Sequence, residues 1–289
     1  MSVTLACVTM LTAAPTCAQH YPSKPVRFMV PYSAGGNTDV LARLIAHRLS
    51  ETFGQPVIVE NRPAVDGIVG TEIVAKSPPD GYTFLMVSSS YAINLAIGHK
   101  LPYDTFRDLT SVTQTASQQL ILIVHPSQPV KSVKELVDHA KAKPGTLSYG
   151  TSSSATHLAT ELFNLLAGVN MVHIPYKGAA PMLNDLLGGQ INLSFSPSVT
   201  ALPHIKSGKL RALALGDSKR SAFMPDLPTV AEAGVPGYQA AIWTGMLAPA
   251  KTPRPIIAQL NKEVVRIVRS SEIKDRLVAL GFGRGRQHP

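Results

Sequence analysis

The sequence predicts a two-lobed α/β protein, and three observations lead to that prediction. Short apolar runs alternate with segments of helical periodicity, which is the order of a parallel α/β sheet. The same order recurs in the second half of the chain, which indicates two α/β units with a cleft between them. The chain has 289 residues, of which 45% are hydrophobic and 16% charged. Such a chain is long and apolar enough for two folded domains, and its composition argues against disorder.

The first half is predicted to hold three strands and two helices. The strands are the apolar runs at residues 26–32, 57–60 and 82–87. The helix after the first strand ends at Gly54 and is predicted from apolar residues at helical spacing, namely Val40, Leu41, Leu44, Ile45 and Leu49. A weaker helix at residues 70–76 precedes a turn at Pro78-Pro79-Asp80-Gly81.

The second half repeats this alternation. Strands are predicted at residues 120–124, 147–150, 171–174, 191–195 and 210–215. Helices are predicted from the capping box that begins at Ser132, at residues 156–167 and 179–187, and around His204. A further apolar run at residues 238–247 leads into helices at residues 253–269 and 271–280. Beyond Gly281 there is no periodicity, so a frayed tail is expected.

The N-terminal segment predicts export. Residues 1–20 contain no Asp, Glu, Lys or Arg, and residues 5–14 form a small apolar stretch. Thr16-Cys17-Ala18 resembles a signal-peptidase site, so residues 1–18 are predicted to be a signal peptide and the mature chain a soluble periplasmic protein. Both cysteines, Cys7 and Cys17, lie in this segment. A mature chain without cysteine would have no disulfide, thiol catalysis or zinc–thiolate cluster.

Charge and motifs exclude several classes of function. The net charge is +9, which favours anionic partners. The 27 Lys and Arg residues are scattered, which is typical of a solvated basic surface and not of a nucleic-acid site. The sequence has no G-x-S-x-G, no G-x-x-x-x-G-K-[ST] and no H-E-x-x-H motif. Its nine histidines lack ligand spacing. We therefore expect no catalytic residue, no metal and no cofactor, although an enzyme on an α/β fold remains an alternative.

Two segments rich in small and hydroxyl residues indicate an anion site. Residues 33–39, the first loop, and residues 150–157, the second loop, each connect a predicted strand to a predicted helix. Unshielded N–H groups at a helix N-terminus bind carboxylate or phosphate without an arginine, and ligands of open α/β sheets bind at the carboxyl ends of strands. Two such loops, one in each lobe, indicate an anion with two ends. The alternative is that both are only well-capped helix starts.

The candidate ligand-binding residues follow from this placement. For Asp39, stabilisation of the helix dipole is the favoured role over ligand contact. The third predicted strand ends in three serines of similar donor character, and Lys177 is a cation at a strand end, although a surface lysine is the simpler interpretation. The candidates are Ser33, Ala34, Gly35, Gly36, Asn37, Thr38, Asp39, Ser88, Ser89, Ser90, Thr151, Ser152, Ser153, Ser154, Ala155, Thr156, His157, Tyr176 and Lys177.

A series of ordered motifs between Tyr21 and about Gly281 resembles the Bug (TctC) family of extracytoplasmic substrate-binding proteins of tripartite tricarboxylate transporters. The motifs include Val30-Pro31-Tyr32-Ser33-Ala34-Gly35-Gly36-Asn37-Thr38-Asp39, Pro79-Asp80-Gly81-Tyr82-Thr83, Met171-Val172-His173-Ile174-Pro175-Tyr176-Lys177-Gly178 and Leu227-Pro228-Thr229-Val230-Ala231-Glu232-Ala233-Gly234. The second loop departs from the family pattern because Thr151-Ser152-Ser153-Ser154 replaces its usual glycines. Ser196 stands where the family commonly has a pocket aspartate, which makes it a further candidate.

The resemblance implies a periplasmic-binding-protein fold of the Venus-flytrap type (type II), with crossover strands near residues 120–124 and 238–247. The predicted lobes are residues 19–121 plus 241–289 and residues 122–240. It also implies a dicarboxylate, acidic amino acid or aromatic acid as ligand, held by the two loops, and a two-component membrane permease as partner of a monomeric receptor. The chain ends where family members continue into a further strand and helix. A ligand-sensing subunit for a membrane kinase is an alternative that the sequence leaves open.

Overall fold

The computed structural model describes residues 21–221, 223–279 and 282–283. The predicted signal peptide and most of the predicted tail lie outside these residues. The elements that the structure describes are, in chain order, β1 (Val26–Val30), α1 (Asn37–Phe53), β2 (Val57–Asn61), α2 (Ile68–Ala75), β3 (Thr83–Ser88), α3 (Ser90–Ala96), β4 (Leu109–Val124), α4 (Val133–Ala142), β5 (Ser148–Thr151), α5 (Ser154–Ala167), β6 (Val172–Pro175), α6 (Ala179–Leu187), β7 (Leu193–Pro197), α7 (Ser198–Lys206), β8 (Arg211–Leu215), β9 (Ala241–Pro249), α8 (Arg254–Arg269), α9 (Ser271–Ala279) and β10 (Phe282–Gly283).

The first group of strands has the order β2-β1-β3-β9-β4. Strand β1 pairs in parallel with β2 and β3, whereas β9 pairs antiparallel with β3 and with residues 109–119 of β4. One hydrophobic core joins this sheet to α1, α8 and α9, and Phe28, Phe84 and Leu260 are fully buried in it. We call this group and its helices the first lobe.

The second group of strands is built around the other end of β4. Residues 120–124 of β4 pair antiparallel with β7 and β8, and β5 pairs in parallel with β6 and β7. Phe163, Phe195 and Tyr238 pack together in its core, with ring centroids 5.2–6.2 Å apart. We call this group the second lobe. Because β4 runs through both groups and β9 lies beside it, these two strands connect the lobes. The predicted residue boundaries of the lobes stay a prediction.

The predicted alternation of strands and helices is confirmed, and α6 has the predicted bounds. Three expectations are wrong. Residues 109–119, which lack an apolar run, extend β4 because they pair with β9 along this stretch. Residues 90–96 form α3, although their serine-rich start indicated only a strand end. Phe282 is buried and pairs with Gln118 of β4, so the expected fraying does not begin directly after residue 281.

The described ranges of the chain show neither a membrane-spanning helix nor a cluster of metal ligands. There, no helix has both the length and the hydropathy needed to span a bilayer. No three His, Cys, Asp or Glu residues in the same ranges are grouped so that they could hold a metal ion.

Candidate functional site

The first loop presents the N-terminus of α1 to the space between the lobes. Gly36 is the N-cap residue and has extended backbone angles. Gly35 has a φ of +77°, a left-handed conformation that glycine adopts without a Cβ clash. Its N–H donates to Asp39 Oδ2 over 2.9 Å, and the other carboxylate oxygen accepts from Asn61 Nδ2 over 2.9 Å. The Asp39 side chain therefore holds the first loop in shape through these hydrogen bonds. This agrees with a structural role at the helix start, which the sequence favours over ligand contact.

The first turn of α1 keeps unused donors. The backbone N–H groups of Asn37, Thr38 and Asp39 have no acceptor among the described residues. Thr38 is buried and Asn37 partly buried. Asn37 Nδ2 donates over 2.7 Å to Gln118 Oε1 of the connecting strand β4. This hydrogen bond fixes the Asn37 side chain and leaves the backbone N–H of Asn37 free. Three N–H groups at the positive end of a helix macrodipole form an anion-binding arrangement.

The second loop, by contrast, uses its donors within the protein. Ser153 and Thr156 form a capping box at the start of α5. Thr156 Oγ1 accepts from the N–H groups of Ser152 and Ser153 over 3.0 and 3.1 Å, and it donates to the Ser153 carbonyl. The N–H of Ser154 donates to Asp66 Oδ1, and that of Ala155 to Ser90 Oγ over 3.5 Å. The Thr156 hydroxyl therefore shapes the second loop, and the acceptors of the Ser154 and Ala155 N–H groups come from the first lobe.

The two predicted loops line one cleft. It is bounded by residues from both loops together with Tyr32, Ser88, Gly178, Ala179, Pro197 and Ile242. Its volume is about 20 Å³, which is room for about one water molecule. Gly178 lies so close to the first loop that a Cβ there would be 2.5 Å from Ser33 Oγ. The lobes are thus in close contact at this cleft, and any larger ligand needs them to separate.

Some of the predicted ligand-binding residues line the cleft. Gly36, Asn37, Thr38, Ser88, Ser152, Ser153 and Thr156 line it. Ser33 reaches the second lobe through its contact with Gly178, whereas Ala34 and Gly35 are exposed at the tip of the first loop. Ser90 accepts from Ser88 Oγ over 3.2 Å, and the buried Ser89 Oγ has no partner in the described part of the chain.

Other predicted residues are engaged away from the cleft lining. The rings of His157 and His173 stack with centroids 3.9 Å apart, and His173 Nε2 contacts Thr151 Oγ1 over 2.7 Å. Burial and the hydrogen bond to Asp185 raise the pKa of the Tyr176 hydroxyl to about 12. Lys177 is exposed. Ser196 Oγ lies 3.3 Å from Thr200 Oγ1 inside the second lobe.

Sequence reasoning missed several residues of this cleft and of its loops, among them Tyr32, Gly178 and Asp66. Tyr32 is buried, and its hydroxyl lies 3.0 Å from Ser88 Oγ. Its position directly before the first loop is the one signal that could have found it. Gly178 and Asp66 come into contact with the loops only through the approach of the two lobes.

Comparisons with known proteins agree with this architecture. A family model described as "Tripartite tricarboxylate transporter family receptor" matches residues 41–284. The protein BugT of Bordetella pertussis is 39% identical over 273 residues, which cover 93% of this chain and 84% of BugT.

Two solved structures are similar over nearly their whole length. An R. palustris protein solved with adipate has a TM-score of 0.88 at 39% identity, over 91% of this chain and 89% of that one. MatC from Rhodopseudomonas palustris with bound malate has a TM-score of 0.86 at 32% identity, over 92% of each chain. The predicted fold class is confirmed by these matches.

Proposed function

Because the chain belongs to the tripartite tricarboxylate transporter receptor family, as its motifs predicted, we propose that it is an extracytoplasmic solute-binding protein whose ligand carboxylate binds between the first and second loops. The observation that carries this proposal is the set of free N–H groups at the start of α1, in a cleft that both loops line. Adipate and malate, the ligands in two similar structures, are both carboxylates.

The N-terminus of α1 and the neutral donors around it can bind an anion, and this binding does not require a cationic side chain. A helix N-terminus stabilises a negative charge by about 0.3–1 kcal/mol when exposed and by up to about 2 kcal/mol when partly buried. Asn37, Thr38 and Asp39 would supply the backbone donors, and Ser88 and Ser152 are hydroxyl residues at the same cleft. A carboxylate bound here would lie at the carboxyl ends of β1 and β5, the usual position for ligands of open α/β sheets.

The proposed cycle includes opening and closing of the lobes. A cavity of about 20 Å³ is far below the roughly 300–1,000 Å³ of ordinary ligand pockets. The ligand would therefore enter with the lobes apart, and β4 and β9, the strands that connect them, would bend as the hinge. Closure would then exclude water from the carboxylate and strengthen its hydrogen bonds.

We further propose export, a two-component membrane permease as partner, and a monomeric receptor. The family is one of transporter receptors and not of enzymes, and this supports a role without catalysis or cofactor. The uncharged segment at residues 1–20 supports a signal peptide at residues 1–18.

A thermal-shift screen tests the proposed function. Carboxylates should raise the unfolding midpoint of the purified chain, because a ligand that binds only the native state stabilises it by about 2.7 kcal/mol at a hundredfold excess over Kd. The amide of each active acid is the matched control and should give no shift, since it lacks the charge that the α1 N-terminus stabilises. If no small carboxylate raises the midpoint, or if acids and amides act equally, the proposal is wrong.

A further inference from the structure

A carboxylate of the protein itself occupies the start of α5. Asp66 Oδ1 accepts the N–H of Ser154, the first residue of α5, over 2.5 Å. The two residues are 88 positions apart and belong to different lobes, so this hydrogen bond joins the lobes beside the cleft residue Ser153. An anion at this point is stabilised by the macrodipole of α5 in the way that a ligand carboxylate would be.

The turn that carries Asp66 is fixed beside the cleft. Asp66 and Gly67 have consecutive left-handed conformations, with φ of 55° and 73°. Gly67 packs so closely that a Cβ there would be 3.1 Å from Tyr32 Cε1. Burial raises the pKa of the Tyr32 hydroxyl, and the charge of Asp66 raises it further. Since Tyr32 lines the cleft, the negative charge of Asp66 acts on one side of the cleft, away from the free N–H groups of α1.

Further hydrogen bonds hold Asp66 in place. Asn94 Nδ2 donates to the Asp66 carbonyl over 2.9 Å, and Asn94 Oδ1 accepts from Ser154 Oγ over 3.0 Å. Both Asn94 and Ser154 are buried. Asn94 thus joins the turn to the start of α5, and the carboxylate is directed at the Ser154 N–H by its surroundings.

The charge of Asp66 has no cation to neutralise it in the described part of the chain. No ion pair of Asp66 is present there. The charge of Asp66 also acts on His173, whose pKa is lowered overall by burial and by the neighbouring His157. A ligand group that approaches the start of α5 meets a negative charge and finds the helix N–H groups already occupied.

We propose that Asp66 is a specificity-determining residue that excludes a second carboxylate from the cleft, so that this receptor prefers monocarboxylates to dicarboxylates. The inference rests on the proposed function, in which the α1 N-terminus holds the single carboxylate. In this arrangement the uncharged end of the ligand lies toward the start of α5. The preference would differ from that of relatives solved with adipate or malate, which carry two carboxylates each.

Calorimetric titration of matched acids tests this proposal. Adipate is compared with hexanoate, and succinate with butyrate, on the wild-type chain and on two variants. Asp66→Asn keeps the shape and an oxygen acceptor for Ser154 N–H but removes the charge. Asp66→Gly removes the side chain at a left-handed position that glycine adopts without strain. In both variants the ratio of dicarboxylate to monocarboxylate affinity should rise about tenfold, which is about 1.4 kcal/mol.

Asp138→Asn is the control for a general loss of negative charge, because Asp138 is exposed on α4. In this variant the ratio of dicarboxylate to monocarboxylate affinity should equal that of the wild type. Circular dichroism verifies that each variant is folded. A wild type that binds dicarboxylates at least as tightly as monocarboxylates, or a ratio unchanged in both Asp66 variants, overturns the role of Asp66 and leaves the proposed function intact. If no acid binds the wild type or either variant, the proposed function itself is wrong.

Discussion

Replacing Gly178 by alanine should weaken carboxylate binding by roughly 5- to 150-fold, as expected for about 1–3 kcal/mol of overpacking. The added Cβ would lie 2.5 Å from Ser33 Oγ, 2.8 Å from Ser33 Cβ and 3.1 Å from the Ser33 nitrogen. Real Cβ atoms essentially never approach other atoms as closely as the first two of these distances, so the lobes could not reach the closed arrangement. Gly178 has a φ of 167°, an extended conformation that alanine also adopts, and the variant is therefore free of backbone strain.

Calorimetry on Gly178→Ala measures this effect, and unfolding by denaturant should differ little from the wild type because the clash arises between lobes and not within one. Gly188→Ala is the matched control at the other end of α6. A Cβ there would have no contact shorter than 3.4 Å, so its affinity should stay within about twofold of the wild type. Wild-type affinity in Gly178→Ala would mean that ligand binding does not require this approach of the lobes.

Replacing Asp39 by asparagine should destabilise the chain by about 1–3 kcal/mol at pH 7 and weaken ligand binding as well. The side chain is 3% exposed, and its two oxygens accept from Gly35 N–H, Asn61 Nδ2 and Arg43 Nε. An asparagine must direct an NH₂ group at one of these donors, and an unsatisfied buried donor costs about 1–3 kcal/mol. The first loop would then lose the shape that exposes the N–H groups of α1.

The effect of Asp39 on stability should depend on pH with a defined sign. Burial opposes ionisation of Asp39, but the hydrogen bonds from Arg43, Gly35 and Asn61 outweigh it and lower the pKa of the carboxyl below its ordinary value of 3.8. A lowered pKa stabilises the folded state above the ordinary value, and this stabilisation is lost as pH falls through the folded-state pKa. The difference in unfolding free energy between wild type and Asp39→Asn should therefore be largest at neutral pH and shrink below about pH 4.

Asp138→Asn is the matched control for Asp39, because Lys134 and Asp138 also form an ion pair four residues apart on a helix. Both side chains are exposed, so its loss should change the stability by less than about 0.5 kcal/mol. Equal effects of the two substitutions in denaturant unfolding would show that Asp39 acts only as a surface ion-pair partner.

Local sequence patterns predicted much of the fold because apolar periodicity and helix stops are local properties. The bounds of α6 follow from apolar spacing and from Gly188, and Ser132 caps the start of α4 as predicted, although the Glu135 carboxylate accepts from Lys131 N–H and not from Ser132 N–H. Residues 109–119 were missed because their strand positions are filled by Thr, Ser and Gln, whose burial depends on pairing with β9. Such pairing joins residues far apart in the chain and leaves no local pattern.

The candidate site was predictable only in part, for the same reason. Both loops could be found because small and hydroxyl residues follow strands and precede helices. Which helix start keeps free donors could not be predicted, since the donors of α5 are taken by Asp66 and Ser90 of the other lobe. The contact of Gly178 with Ser33 likewise joins residues of different lobes. Long-range approaches of this kind decide the site and are absent from local composition.

The ligand carboxylate is proposed to bind the N-terminus of α1, and a backbone amide titration tests this placement most directly. With the chain labelled with ¹⁵N, a carboxylate that raises the unfolding midpoint is added while the amide resonances are followed. The amides of Asn37, Thr38 and Asp39 should shift downfield as hydrogen bonds to the carboxylate form, whereas those of the first turn of α4, which Ser132 caps, should not move. Saturable shifts elsewhere in the protein, with these three amides unchanged, would contradict the claim.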